Sequence, residues 1–87
     1  MNTIFLDRDG VINEDYGYVN KWENFVFIPG SLEALQILSK NNFKIIVVTN
    51  QAGIARGYYT EKDFKNLTDK FDDFCRKKDI RIHDTFY

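Results

Sequence analysis

The sequence predicts an α/β fold in which crossover helices join the strands of a parallel sheet. Two short apolar runs, Thr3–Leu6 and Lys44–Val48, have the composition of buried strands. Gly30–Lys40 lies between them and repeats leucine at helical spacing. A second helix over residues 60–78 leads to an alternating segment, Arg81–Tyr87. Because a strand, a helix and a strand in this order favour a right-handed crossover, we expect a three-stranded parallel sheet.

The first two strands are expected to be buried on both faces, as strands of parallel sheets usually are. The second contains four consecutive β-branched residues, which favour extended backbone. Pro29 and Gly30 suit the start of the first helix. Its apolar stripe is predicted to consist of Leu32, Leu35 and Leu38.

The clearest helix signal covers residues 60–78. Thr60 and Asp63 have the spacing of a capping box, which satisfies backbone N–H groups at a helix start. The last strand is predicted over Arg81–Tyr87. The apolar face of the helix is predicted to consist of Phe64, Leu67, Phe71 and Phe74.

Composition limits the chain to one domain and to a few classes of protein. A chain of 87 residues buries only about 60–65 % of the surface that it exposes when unfolded. Its net charge of −1, with charges of both signs spread along the chain, argues against nucleic acid as a partner. A lone cysteine, Cys75, excludes an internal disulfide and favours the cytoplasm. No apolar run is long enough for a membrane helix or placed as a signal peptide would be.

Two carboxylates follow the first strand, where open α/β sheets bind their ligands. Asp7 and Asp9 are separated by one residue and followed by Gly10, which would let the chain turn away and leave space for a phosphate. Aspartate can attack phosphorus, and a second carboxyl group can exchange protons with the leaving oxygen and with water. Mg²⁺ is a suitable cation, since it binds through one or two carboxylates plus phosphate oxygens. The alternative is an ordinary turn rich in Asp and Gly, and the pair alone leaves both interpretations open.

Polar residues also follow the second strand. Two segments, 11–24 and 50–59, are predicted to be irregular, and both leave the sheet at the edge that holds Asp7 and Asp9. The Thr49 hydroxyl could donate to a phosphoryl oxygen without adding charge, although helix capping by Thr49 or Asn50 is an alternative. Arg56 could bind a second anionic group of a substrate, or it could be a surface arginine without a partner.

Three separated blocks of sequence together resemble a known family. The blocks are Ile-Phe-Leu-Asp7-Arg-Asp-Gly-Val-Ile-Asn13, Asp15-Tyr-Gly-Tyr-Val19 and Val-Val-Thr49-Asn-Gln-Ala-Gly-Ile-Ala-Arg-Gly57. In this order they resemble phosphatases of the haloacid dehalogenase superfamily. Within it, the likeness is to the capless D-glycero-D-manno-heptose 1,7-bisphosphate phosphatases, which also resemble histidinol-phosphate phosphatases.

The resemblance implies a role for each matching residue. Asp7 is expected to be the nucleophile and a Mg²⁺ ligand, and Asp9 the general acid and base, which touches the metal through its backbone carbonyl. The residues expected to bind substrate or its phosphoryl group are Arg8, Gly10, Asp15, Tyr18, Thr49, Asn50, Gln51 and Arg56.

The family also has features that this sequence lacks. The resemblance places a phosphate-binding lysine, a further acidic motif and, in many members, a zinc-binding loop beyond the third strand. Residues 1–87 are therefore expected to form one partial domain, the N-terminal half of a Rossmann-like fold, without zinc ligands. Cys75 is expected to be a packed thiol and His83 structural. One sheet edge would remain exposed and could allow self-association.

The predicted function is Mg²⁺-dependent hydrolysis of a small phosphorylated metabolite, such as a sugar bisphosphate, through an aspartyl-phosphate intermediate. One alternative is a catalytically incompetent half-domain, since the missing lysine and acid would stabilise the transferring group. Another is histidinol-phosphate phosphatase activity in the parent protein. A receiver-type signalling domain is disfavoured, because Asp7 and Asp9 are not adjacent and no acidic residue follows Val48 directly.

Overall fold

A computed structural model describes residues 2–87 as a three-stranded parallel sheet with helices packed against it. The strands are β1 (Thr3–Asp7), β2 (Lys44–Val48) and β3 (Ile82–Phe86), in the spatial order β1-β2-β3. The helices are α1 (Ser31–Lys40), α2 (Ala52–Ala55) and α3 (Glu61–Lys77), and a 3₁₀ turn covers Trp22–Asn24. The predicted parallel sheet and its three strands are confirmed.

Both predicted helices form where the sequence places them. The Thr60 hydroxyl accepts from the Asp63 backbone N–H at 3.1 Å, and the Thr60 N–H donates to the Asp63 carboxylate at 2.9 Å, which confirms the capping box. Helix α1 begins after Gly30, which has a φ of 89°. The apolar stripes of both helices contribute to one core. Its helical members with buried side chains are Leu35, Leu67, Phe71 and Cys75.

The prediction that β1 and β2 are buried on both faces is wrong for one face. Alternate strand residues contribute to the core under the helices, namely Ile4, Leu6, Ile45, Val47 and Ile82. The intervening side chains point to the opposite face, where Phe5 is 66 % exposed and Val48 39 %. The reason is that α1 and α3 both pack on the first face, so no helix within residues 2–87 covers the second.

The sheet has two free edges within residues 2–87, where one was predicted. The strand order puts β2 in the centre, so β1 and β3 each pair on one side only. In register, Asp7 lies beside Val48, and Val48 lies beside Phe86. The carboxyl ends of all three strands are therefore level.

One further prediction is corrected between Asn50 and Tyr59. This segment was expected to be irregular, but residues Ala52–Ala55 form α2. A single helical turn containing glycine has weak intrinsic propensity. Contacts between Gly53 and the rings of Tyr18 and Tyr59 hold it, and local sequence does not reveal them. None of the helices in the described part of the chain is long and apolar enough to cross a membrane.

Candidate active site

A pocket of about 530 Å³ lies at the carboxyl ends of β1 and β2. Most of the predicted site residues line it, although they come from three separate parts of the sequence. The end of β1 contributes Asp7, Arg8 and Asp9. The loop after it contributes Asp15 and Tyr18, and the segment after β2 contributes Thr49, Asn50 and Gln51.

Asp7 is the last residue of β1 and is exposed to the pocket. The side-chain hydrogen bonds and ion pairs formed among residues 2–87 do not include its carboxylate. Asp7 is therefore free to meet a cation or the phosphorus of a substrate.

Asp9, in contrast, is held firmly by its neighbours. Arg8 donates to Oδ1 from Nε at 3.2 Å and from Nη2 at 2.9 Å, and Nη2 also lies 3.1 Å from Oδ2. The Asn13 amide donates to Oδ1 at 3.0 Å, and the Thr49 hydroxyl donates to Oδ2 at 3.1 Å. Both oxygens thus accept hydrogen bonds, as a carboxylate does. To transfer a proton, Asp9 must give up one of these partners.

The Arg8 side chain is buried in the wall of the pocket. Its guanidinium donates to the Val19 carbonyl at 2.9 Å and lies about equally far from two aromatic rings, 5.9 Å from the centre of Phe25 and 6.0 Å from that of Phe64. Its Nη1 has no hydrogen-bond partner among residues 2–87, and the aromatic faces offset part of that cost. Arg8 was predicted to bind substrate, but in this arrangement it orients Asp9; substrate binding by Arg8 stays a prediction.

A tight turn joins Arg8 to Asn13. The Arg8 carbonyl accepts from the backbone N–H groups of Val11, Ile12 and Asn13. Gly10 has a φ of 86°, a conformation that costs glycine little, and its N–H donates to the Asn13 carbonyl at 2.8 Å. Gly10 does not line the pocket, so it shapes the turn and its predicted contact with substrate stays untested.

A chain of buried hydrogen bonds crosses the floor of the pocket. The Tyr59 hydroxyl donates to Gln51 Oε1, and Gln51 Nε2 donates to Thr49 Oγ1 at 2.8 Å. Thr49 then donates to Asp9. A tyrosine hydroxyl is protonated at neutral pH, and burial raises the pKa of Tyr59 further above its ordinary value.

The loop residues form the rim. Tyr18 lines the pocket with a φ of 51°, and Arg56 donates to its hydroxyl. The Asp15 carboxylate accepts from the Gly17 N–H at 3.0 Å. Arg56 itself is exposed and does not line the pocket, so its predicted binding of an anion requires a substrate that reaches past Tyr18.

The metal-binding candidates are few in the part of the chain that the structure describes. Residues 2–87 contain no group of three or more His, Cys, Asp or Glu side chains that could hold a metal ion. Asp7 and Asp9 still fit Mg²⁺, which needs only one or two carboxylates. Cys75 is fully buried in α3, and burial raises the pKa of its thiol to about 12, which confirms a packed thiol.

Two residues that form hydrogen bonds in the site, Asn13 and Tyr59, were not among the site residues predicted from the sequence. Asn13 is fully buried and contacts Asp9, and Tyr59 anchors the hydrogen-bond chain. Asn13 is the last residue of the first sequence block that resembles the family, and this position could have indicated that it belongs to the site. Nothing local singled out Tyr59, because its neighbour Tyr58 is also a tyrosine and is exposed.

The sheet and the pocket define an α/β protein with an acidic site at the carboxyl ends of its strands, and comparison with known proteins identifies its family. Residues 3–86 match the family model described as polynucleotide kinase 3 phosphatase, and the chain belongs to this family. It is 46 % identical over 84 residues to the D-glycero-beta-D-manno-heptose-1,7-bisphosphate 7-phosphatase of Haemophilus influenzae, and 48 % identical over 84 residues to that of Escherichia coli K12. These alignments cover 97 % of this chain but only 46 % and 44 % of the two relatives.

Solved structures agree with this assignment. The D,D-heptose 1,7-bisphosphate phosphatase of B. bronchiseptica, complexed with magnesium and phosphate, superposes with a TM-score of 0.92 at 31 % identity. The match covers 99 % of this chain and 49 % of that one. The D,D-heptose 1,7-bisphosphate phosphatase of Burkholderia thailandensis superposes with a TM-score of 0.76 at 34 % identity. That match covers 100 % of this chain and 52 % of the other. The predicted family resemblance and fold class are confirmed, and the chain spans about half the length of these relatives.

Proposed function

We propose that this chain carries the nucleophile and the general acid of a Mg²⁺-dependent phosphatase that hydrolyses a sugar bisphosphate such as D-glycero-D-manno-heptose 1,7-bisphosphate. One observation carries the proposal: Asp7 and Asp9 from β1 meet Thr49 from β2 in a single pocket. The names of the relatives supply the substrate class. The pocket is large enough for a small metabolite.

The proposed chemistry uses two steps. Before the first step Asp9 gives up one of its hydrogen-bond partners and takes up a proton, from solvent or from the water of the preceding turnover. An oxygen of Asp7 then attacks phosphorus, the bond from phosphorus to the sugar oxygen breaks, and Asp9 gives this proton to that oxygen. Water then attacks the same phosphorus while Asp9 takes a proton from it. The bond to Asp7 breaks, inorganic phosphate leaves, and Asp7 is a free carboxylate again.

Mg²⁺ would be held by the Asp7 carboxylate and the Asp9 backbone carbonyl, with the remaining positions left for water and phosphate oxygens. When bound, the cation offsets the negative charge of the carboxylates and of the phosphoryl group. The Thr49 hydroxyl donates to a phosphoryl oxygen, and Asp15, Tyr18 and Asn50 contact the rest of the substrate. We also propose a cytoplasmic location, supported by the single buried thiol.

Asp7→Asn tests the proposal in the 87-residue chain. Release of inorganic phosphate from a heptose 1,7-bisphosphate is measured with Mg²⁺. We expect turnover by the unmodified chain and loss to background in Asp7→Asn. Asp73→Asn is the control, because Asp73 lies on exposed helix surface. Turnover retained in Asp7→Asn would remove Asp7 as the nucleophile.

Substrate class is tested in the same assay. Histidinol phosphate and a 3′-phosphorylated oligonucleotide are compared with the heptose, the latter because of the family's description. We expect preference for the sugar, since that substrate is the one named for the relatives. The three aspartates that line the pocket and the net charge of −1 argue against the polyanionic oligonucleotide. Preference for the oligonucleotide would overturn this assignment. Absence of turnover with every substrate would support the incompetent half-domain.

A further inference from the structure

The hydrogen bonds under the pocket form a chain in which each side chain donates to the next, so the chain has a donor-to-acceptor direction. It runs from Tyr59 through Gln51 and Thr49 to Asp9, and the two hydrogen bonds after Gln51 are 2.8 Å and 3.1 Å long. Three of its members are almost fully buried: Thr49 is 5 % exposed, Tyr59 7 % and Gln51 8 %. Water therefore has little access to the two links among Tyr59, Gln51 and Thr49, whereas the link from Thr49 to Asp9 is open to the pocket.

The direction follows from the donors and acceptors of a carboxamide. Such a group donates from nitrogen only and accepts at oxygen only. With the Tyr59 hydroxyl donating to Gln51 Oε1, Nε2 faces Thr49 and can only donate to it. That donation occupies a lone pair of Thr49 Oγ1. The hydroxyl hydrogen of Thr49 is then directed away from Gln51, towards Asp9 and the pocket.

Tyr59 is held in place by its packing. An added Cβ at Gly53 would overlap the Tyr59 ring and would lie only 2.9 Å from Tyr18 Cδ1, so the glycine in α2 permits the close approach. The ring thus packs directly on the helix that follows Gln51, and the hydroxyl has a fixed position relative to the carboxamide.

We propose that Tyr59 and Gln51 are positioning residues that fix the direction of the Thr49 hydroxyl for a phosphoryl oxygen. The catalytic purpose of this arrangement rests on the function proposed above. In the free chain Asp9 accepts the Thr49 hydrogen, and a bound phosphate competes for it. Without the Tyr59 hydroxyl, Gln51 can rotate by half a turn and present its oxygen to Thr49. The Thr49 hydroxyl would then donate to Gln51 and would no longer be available to a phosphoryl oxygen in the pocket.

A double-mutant cycle tests the coupling between Tyr59 and Thr49. Inorganic phosphate binding to the 87-residue chain is measured by calorimetry in the presence of Mg²⁺. Tyr59→Phe keeps the ring but removes the hydroxyl, and we expect about three- to tenfold weaker binding, the range that one hydrogen bond supplies. Tyr58→Phe is the matched control and should bind like the unmodified chain, since Tyr58 is 62 % exposed and outside the pocket.

The decisive comparison is made in a Thr49→Val background. If Tyr59 acts through Thr49, Tyr59→Phe has no further effect once the hydroxyl is gone. An equal weakening in both backgrounds would overturn the positioning role and leave Tyr59 as a packing residue. A second double-mutant cycle combines Gln51→Met with Thr49→Val. Gln51→Met should weaken phosphate binding in the unmodified background and have no effect on it in the Thr49→Val background.

Side-chain NMR separates failure of this inference from failure of the proposed function. Tyr59→Phe should shift the Gln51 side-chain amide and Thr49 methyl resonances, whether or not phosphate binds, and Tyr58→Phe should leave them unchanged. Unchanged Gln51 and Thr49 signals in Tyr59→Phe would overturn the inference. Shifted signals in a chain that binds no phosphate would retain the hydrogen-bond chain and reject the phosphatase proposal.

Discussion

Arg8 Nη2 lies 2.9 Å from Asp9 Oδ1, so two residues adjacent in sequence form an ion pair in the wall of the pocket. The Arg8 side chain is 4 % exposed and that of Asp9 is 19 % exposed. Consecutive side chains within a strand point to opposite faces, but Arg8 and Asp9 lie beyond the end of β1, in the turn that leads to Asn13, and their side chains meet there. The carboxylate that is proposed to move protons is therefore held by its own neighbour.

Arg8→Lys should destabilise the chain by about 1–3 kcal/mol, because lysine cannot satisfy both Asp9 and the buried Val19 carbonyl. Urea unfolding followed by circular dichroism measures the change. Arg76→Lys is the control: its pair with Asp73 is exposed on both sides, so we expect a change of about 0.5 kcal/mol or less. Equal effects of the two substitutions would contradict the structural role of Arg8.

Gly53→Ala should destabilise by about 1–3 kcal/mol, although alanine is ordinarily the better helix former. The added methyl group would overlap the Tyr59 ring, which has to shift. Ala55→Gly, at an exposed position in the same helix, measures the intrinsic propensity alone. A neutral or stabilising Gly53→Ala in urea unfolding would show that Tyr59 does not need the close approach.

Asp72→Asn should raise the unfolding temperature at neutral pH. Burial, and to a lesser extent the charge of Asp69, raise the pKa of Asp72, and its Oδ1 lacks a partner among residues 2–87. An acid with a raised folded-state pKa favours folding below its unfolded value and loses that contribution as the pH rises.

The gain from Asp72→Asn should therefore shrink as the pH falls through the raised pKa of Asp72, and it should level off below the ordinary Asp value of 3.8. Thermal scans at neutral and acidic pH measure both effects. Asp73→Asn, on exposed surface, should show no comparable gain. A loss of stability at neutral pH in Asp72→Asn would disprove the unfavourable burial of this charge.

Thr60→Ala should cost about 1 kcal/mol, because it removes the side-chain acceptor at the start of α3. Thr60→Ser keeps that oxygen and should lie within a few tenths of the unmodified chain. The hydrogen bond from the Thr60 backbone lowers the pKa of Asp63, so its contribution is present above the ordinary Asp value and is lost as the pH falls. The free energy of unfolding of both variants is measured by chemical denaturation. If Thr60→Ser is as unstable as Thr60→Ala, the side-chain cap does not stabilise α3.

Local patterns were sufficient to predict the three strands, the two longer helices and the location of the candidate site. The apolar runs, the leucine spacing and the Thr60–Asp63 pair determine strands and helices through interactions within a few residues. The sequence was also sufficient to predict that the carboxylates after β1 lie near the polar residues after β2, since parallel strands end at the same edge of a sheet.

Long-range packing decided what those patterns left open. Burial of one face of the sheet, the short helix α2 and the contact of Tyr59 with Gln51 all depend on groups distant in sequence or on neighbouring elements. The same holds for Asp9 and Thr49, which are forty positions apart and 3.1 Å apart in space.

The sequence by itself determined which residues are proposed to carry the chemistry, above all Asp7, Asp9 and Thr49, because residue type and position after a strand set what a side chain can do. Only the tertiary structure decided how each is held: Asp7 free in the pocket, Asp9 bound by Arg8, and Thr49 directed by Gln51. The physical reason is that hydrogen-bond direction and burial arise from packing between elements, which no local pattern encodes.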